Sequence, residues 1–272
     1  MTLSDSLTTL ALDRHAEVDL AEINLLLAAD FEPDLDVPVV QSQIFELGAE
    51  LEFGPFDEPV ERVRTLSRLL FSDLGFSGDS ETYDDPRNSY LNEVLERKLG
   101  LPIALSVLAI AVGEAAGLTI AGVGLPGHFI AKLIDGPTEV LFDPFHGGRI
   151  LTHRDCERLA SNATGRPFHA TRDALEATPP GIIVQRMLNN LKSSYLRRSM
   201  FDEAAAIIGW LGELLPNEPE HIRDLGFAFL QAGRPGKAMT QLERYLPHSG
   251  PADKPMVERA LREARRHVAA WN

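Results

Sequence analysis

A single cysteine in 272 residues, Cys156, rules out an intramolecular disulfide and any zinc site built on several thiolates, and it fits a reducing compartment. Basic residues are also scarce, with 26 Lys and Arg against 40 Asp and Glu for a formal charge of -14. A field of that sign repels phosphate backbones and anionic headgroups, so neither nucleic acid nor a membrane is expected as a partner, and the excess acid serves solubility. No stretch is apolar for the roughly 20 residues that a bilayer span needs. The longest candidate, Leu101 to Leu118, is interrupted by Ser106 and Glu114 and reads as a buried helix. The opening segment MTLSDSLTTLALDRHAEVDLAE lacks the basic start, apolar run and small-residue cleavage site of a secretory signal, so a cytoplasmic location is expected.

What is present is an ordinary globular composition, 44% hydrophobic and 24% charged, in a chain long enough for two domains. Apolar residues recur at helical spacing from Val18 to Leu27, Val39 to Phe53 and Val60 to Leu74. Asp85-Pro86 is a helix start, since the carboxylate accepts orphan amide hydrogens and proline occupies a position that needs no donor. The spacing predicts a helix from there to Gly100, and a second one opened by Pro102 and closed by Gly117. The period then becomes two: residues 119–134, interrupted at Gly124 to Gly127, read as one or two strands, and residues 139–143 as the returning strand. A four-residue turn, Asp135 to Thr138, spares Pro137 a backbone hydrogen it lacks and pairs Ile134 with Glu139. That register sets His128 opposite Phe145, and a shorter loop sets it opposite Asp143. Either register brings the imidazole and the Asp143 carboxylate to one face of the sheet.

Residues 160–181, rich in Gly and Pro, form the boundary candidate, giving a first domain over 1-175, with N-terminal helices, and a second over 181-272. Within the second, a shift of 34 residues matches Leu191 with Leu225, Tyr195 with Phe229, Leu196 with Leu230, Ala204 with Ala238 and Ile208 with Leu242. That period belongs to tetratricopeptide repeats, so these residues are repeat core.

The run DPRNSYLNEVLERKLGLPIALSVL from Asp85, GVGLPGHF from Gly122 and FDPFHGG from Phe142 together resemble the SirB-type transglutaminase-like family, whose members also end in a tetratricopeptide-like region. The resemblance covers the chain from about Asp19 onward. It implies an α+β fold: a papain- or transglutaminase-like core of helices packed on a small antiparallel sheet, followed by an all-α tail. In active relatives a cysteine opens the central helix, a histidine lies on one strand and an aspartate on the next. The helix terminus and imidazole favour the thiolate, and the carboxylate orients the imidazole. His128 and Asp143 match the second and third members. The first position falls at Pro102 or Ile103, and neither side chain can attack a carbonyl. Cys156, beyond the returning strand, reads as a buried thiol, and Ser106, one turn into the apolar helix, as a hydroxyl bonded back to a carbonyl.

His128 and Asp143 are therefore either a satisfied polar pair that locks the hairpin or a retained recognition or catalytic site. Asn88 and Asn92, one helical turn apart, are candidates to hydrogen-bond the loop from Pro126 to His128, with simple solvation as the alternative. Pro126 and Gly127 fix the backbone ahead of the histidine, and Phe145 completes the candidate binding set. No cofactor and no metal is expected: His128, Asp143 and His146 make an imaginable ligand trio, but His146 lies in the FHGG turn, where histidines are common without metal. The leading expectation is a non-catalytic or regulatory protein that holds a protein or peptide through its former cleft and its repeat tail. The alternative is a cysteine-independent amide or ester hydrolase with His128 as general base.

Overall fold

Four helices open the computed structural model, which describes residues 2–54 and 57–270: α1 (Leu3–Leu12), α2 (Leu20–Ala29), α3 (Val37–Ala49) and α4 (Pro59–Ser67). The first three begin on side-chain caps. Thr2 and Asp5 form a reciprocal capping box, Asp19 accepts the amides of Ala21 and Glu22, and Asp36 accepts that of Val39. After α4 a π-helical turn, Arg68–Asp73, leads to a two-residue strand β1 (Ser77–Gly78). It pairs in parallel with β2 (Leu99–Gly100), which follows α5 (Leu91–Arg97). Next comes α6 (Pro102–Ala115), apolar on nearly every side, with Glu114 near its end exposed: it packs on α2, α3 and α5 and on the sheet that follows.

That sheet is a four-stranded antiparallel meander of β3 (Ile120–Leu125), β4 (His128–Asp135), β5 (Thr138–Asp143) and β6 (Arg149–Leu151), ordered as in the sequence. One face carries Val123, Leu125, Ile130, Leu141 and Leu151, buried against Cys156 and Ala160 of α7 (His153–Thr164). The β4–β5 register pairs Ile134 with Glu139 as the sequence implies, and pairing continues to Asp135 and Thr138. The loop is thus two residues, Gly136-Pro137, where four were expected. Gly136 takes φ +57° at the first loop position, and Pro137 falls at the second, where its missing hydrogen is not called on.

The helix predicted from Asp85 to Gly100 is broken. Asp85 does cap a start, accepting the Arg87 amide, but the turn it caps is a short 3-10 helix, Pro86–Ser89. Tyr90 then turns extended (φ -99°, ψ 128°) before α5 begins.

The remaining helices are α8 (Pro180–Arg197), α9 (Phe201–Leu214), α10 (Glu220–Gln231), α11 (Pro235–Tyr245) and α12 (Lys254–Ala270). Contacts group the chain into two units, Glu17–Met187 on the one hand and residues up to Ala16 with Leu188 onward on the other. The expected ranges, 1-175 and 181-272, differ from this at both ends. The apolar stripe Leu3, Leu7 and Leu10 of α1 is buried and α1 packs on α9, which draws the first sixteen residues to the repeats. The other division falls inside α8.

The 34-residue shift survives in the backbone. α8 ends at Arg197 and α10 at Gln231, α9 starts at Phe201 and α11 at Pro235, and Ala204, Ala238, Ile208 and Leu242 are all buried. Ser199 and Gly233, also 34 apart, both hold positive φ, at +58° and +70°. Ser199→Gly is expected to stabilise the protein by about 0.5–1 kcal/mol, because left-handed strain of about 1–2 kcal/mol is relieved and part of it is returned as glycine's unfolded-state entropy. Thermal denaturation checks this, and an unchanged or lowered midpoint contradicts it. Among the described residues no helix is long and apolar enough to cross a membrane.

Candidate functional site

Strand pairing and one tight turn assemble three side chains. His128 is the first residue of β4 and Asp143 the last of β5. Their side chains meet, with His128 Nε2 3.1 Å from Asp143 Oδ1 and 3.0 Å from Oδ2. Immediately after Asp143 the chain makes a 3-10 turn, Pro144–His146, opened by proline and capped by the Asp143 carboxylate, which accepts the Phe145 amide at 3.1 Å. Side chains three apart eclipse one another in 3-10 geometry. His146 consequently swings back over Asp143, its Nδ1 2.7 Å from Oδ2. One carboxylate therefore serves two imidazoles. Sequence reasoning set His146 aside as an ordinary turn histidine, and the signal that would have found it is the D-P-x-H spacing.

Asp143 is wholly inaccessible and His128 is 8% exposed, while His146 is half-exposed. Burial alone would raise the Asp143 pKa. The hydrogen bonds from His128 and His146 and their charge outweigh it and hold the carboxyl below its usual range. Phe145 is half-buried against the pair, edge-on to both imidazoles with ring centroids 5.9 Å from His128 and 5.1 Å from His146. Its ring lies on the bare backbone of Gly78, where a β-carbon would meet ring atoms at 2.5 Å. Gly78 in turn pairs with Gly100, two residues before α6 begins, and α6 itself packs on the 144–146 turn. Pro126 and Gly127, both exposed, form a two-residue turn that pairs Leu125 with His128, Gly127 supplying φ +69°.

Arg186 pins that turn from the other side. Its Nη2 donates to the carbonyls of Leu125, at 3.1 Å, and His128, at 2.7 Å. Thr178 bonds to the exposed edge of β3, donating its amide to Gly122 O and accepting the Gly124 amide, both at 2.8 Å. No spacing in the sequence announces either residue, since both lie in or beyond the segment read as a boundary.

Asn88 and Asn92 do not reach the 126–128 loop. The break at Tyr90 takes them off a common helix face. Asn88 is fully buried, donating to Asp79 Oδ2 at 3.0 Å and Thr82 O at 2.8 Å and accepting from Arg97 at 3.0 Å, and it holds the loop before α5 closed. Asn92 donates to Glu32 at 2.9 Å.

The residues weighed as nucleophiles, and the two at the expected nucleophile position, are all buried. Pro102 and Ile103 are buried at the start of α6. Ser106 donates its hydroxyl to Pro102 O at 2.8 Å, as its place in the helix implies. Cys156 is buried in the apolar layer under α7, where desolvation, with the nearby charges of Asp155 and Asp143, pushes its thiol up to about 11. What remains is an oriented imidazole: Nε2 is committed to Asp143, leaving Nδ1 as the ring atom for proton transfer.

Comparison with known proteins matches residues 28–189 to the transglutaminase-like superfamily and residues 191–268 to the tetratricopeptide repeat. A UPF0162 protein of Xylella fastidiosa (strain Temecula1) is 39% identical over 237 residues, covering 82% of this chain and 81% of the relative. Another, from Vibrio cholerae, is 27% identical over 238 residues, covering 85% and 86%. Among solved structures, menin aligns at a TM-score of 0.41 and 11% identity over 88% of this chain and 68% of that one, a likeness too weak to carry an argument. With matches of that length to both a family and full-size relatives, the chain belongs to the transglutaminase-like superfamily, alongside the UPF0162 proteins, and carries a tetratricopeptide repeat region behind that core.

Proposed function

We propose that this protein is a non-catalytic binding protein, in which a transglutaminase-like core without its nucleophile is joined to a repeat region that holds a protein or peptide. The observation that carries the reading is the start of α6, where Pro102 and Ile103 occupy the place of the attacking residue. The disarming of Ser106 and Cys156 supports it. On the binding side, the repeat region contains a cavity of about 280 Å³ lined by Ile208, His221, Ile222, Leu225 and Arg244. His221 lies 3.4 Å from Glu218 but hydrogen-bonds through neither ring nitrogen, and burial lowers its pKa, so it lines the cavity with hydrogen-bonding capacity to spare. A mixed lining, with Ile208, Ile222 and Leu225 beside Glu213, Glu218 and Arg244, suits a peptide side chain.

A second reading is a cysteine-independent amide or ester hydrolase, favoured by the 3.0 Å contact that orients His128 on Asp143. One paired experiment separates the two. Full-length protein is screened on peptide arrays, and wild type and His128→Ala are assayed side par side on amide, ester and glutamine-peptide substrates. The binding reading expects peptides to be retained, their affinity to fall about tenfold in Arg244→Ala, and both proteins to be inert on the substrates. Turnover by the wild type that disappears in His128→Ala overturns it in favour of the hydrolase.

A further inference from the structure

The trio His128, Asp143 and His146 offers one nitrogen or oxygen each, and these three atoms all lie within 4.8 Å of one another. Oδ2 of Asp143 stands between the imidazoles, 3.0 Å from His128 Nε2 and 2.7 Å from His146 Nδ1. We infer that this cluster is a binding site for one divalent first-row transition-metal ion, zinc or a close relative, held by His128 Nε2, His146 Nδ1 and an Asp143 oxygen.

The donor set has the softness and charge such ions select, two neutral imidazoles and one carboxylate. A tetrahedral ion with bonds of about 2.0–2.1 Å sets its ligand atoms about 3.3–3.4 Å apart. The separations of 2.7 and 3.0 Å from the carboxylate oxygen open slightly to reach that spacing, and the two imidazole nitrogens already lie within 4.8 Å of each other. Asp143 is also steadied from behind, because its other oxygen accepts the Phe145 amide at 3.1 Å, and outer hydrogen bonds of this kind hold ligating carboxylates in place. Each imidazole now donates an N–H to the carboxylate. Metal binding displaces that proton, and the freed ring nitrogen ligates with the side chain in its present seat. His146, half-exposed, gives the ion an entry path and leaves its outer side open to water. The net charge of -14 favours cation approach.

The inference stands apart from the binding function, since a metal titration reads neither peptide capture nor turnover. Full-length protein without a histidine tag, stripped with chelator, is titrated with zinc chloride against a chromogenic competitor, and cobalt chloride supplies a visible ligand-field band. One equivalent is expected to bind, with the cobalt band appearing and the nitrogen resonances of His128 Nε2 and His146 Nδ1 shifting together. His146→Ala, at an exposed turn position, should keep the fold and lose affinity by more than about a hundredfold, beyond the range that outer partners command. Asp143→Asn should weaken it as well, whereas His153→Ala should bind as wild type. Failure of the wild type to take up a stoichiometric ion, or unchanged affinity in His146→Ala, overturns the assignment.

Discussion

Asp143→Ala is expected to destabilise the transglutaminase-like core by about 3 kcal/mol, because it leaves buried hydrogen-bond donors without their acceptor. The carboxylate accepts three hydrogen bonds, from His128, His146 and the Phe145 amide, and it has no access to solvent. Truncation strands all three donors, two of them largely buried, and each stranded group brings its own desolvation cost of about 1–3 kcal/mol. Asp143→Asn keeps the shape and one acceptor oxygen, so its loss should be smaller, about 1–2 kcal/mol. Chemical denaturation at neutral pH measures both, and equal stability of Asp143→Ala and wild type contradicts the account.

The pH dependence provides an independent check. Folding lowers the Asp143 pKa from its ordinary value of 3.8. A depressed folded pKa means that the charged carboxylate's contribution is complete above 3.8 and is lost as the pH falls through the lower folded value. The gap in stability between wild type and Asp143→Asn should persist down to about pH 4 and close only below it. A gap that closes well above about pH 4 contradicts the account.

Much of this arrangement was legible in the sequence because it rests on periods and covalent constraints. Alternation over residues 119–143, with proline and glycine between the strands, is enough to set Ile134 against Glu139 and to bring His128 and Asp143 to one face. The 34-residue period likewise agrees with helices that end 34 residues apart, at Arg197 and Gln231. What escaped were contacts made between distant segments and a change of helix type. Arg186 and Thr178 act on β3 and β4 through loop closure that no local pattern encodes. His146 joins Asp143 because the turn is 3-10, whereas a looser turn would have pointed it away. The N-terminal stripe of Leu3, Leu7 and Leu10 shows that α1 has an apolar face, but nothing in it says which partner covers it. The helix boundary at Tyr90 was misplaced for the same reason, since the cap that starts α5 comes from far away in the chain.

That cap is Asn24, and its removal should rank beside that of Asp143. Its side chain is 1% exposed, and its Nδ2 donates to Ser89 O at 2.8 Å while its Oδ1 accepts the Leu91 amide at 2.7 Å. Those two backbone groups flank Tyr90 at the break between the 3-10 turn and α5, where neither helix can satisfy them. In effect α2 reaches across 67 residues to supply the first bond of α5. Asn24→Ala strands a carbonyl and an amide together, at about 1–3 kcal/mol each, so a loss of about 2–6 kcal/mol is expected. Asn24→Asp keeps the acceptor for Leu91 but sets a second oxygen against Ser89 O and buries a charge, so it should not rescue. Hydrogen exchange localises the effect: the Leu91 amide, slow in wild type, should exchange fast in Asn24→Ala at denaturant concentrations where α6 is still protected. If the Leu91 amide stays as slow as before, α5 is held by its packing alone and Asn24 is only a passenger in the core.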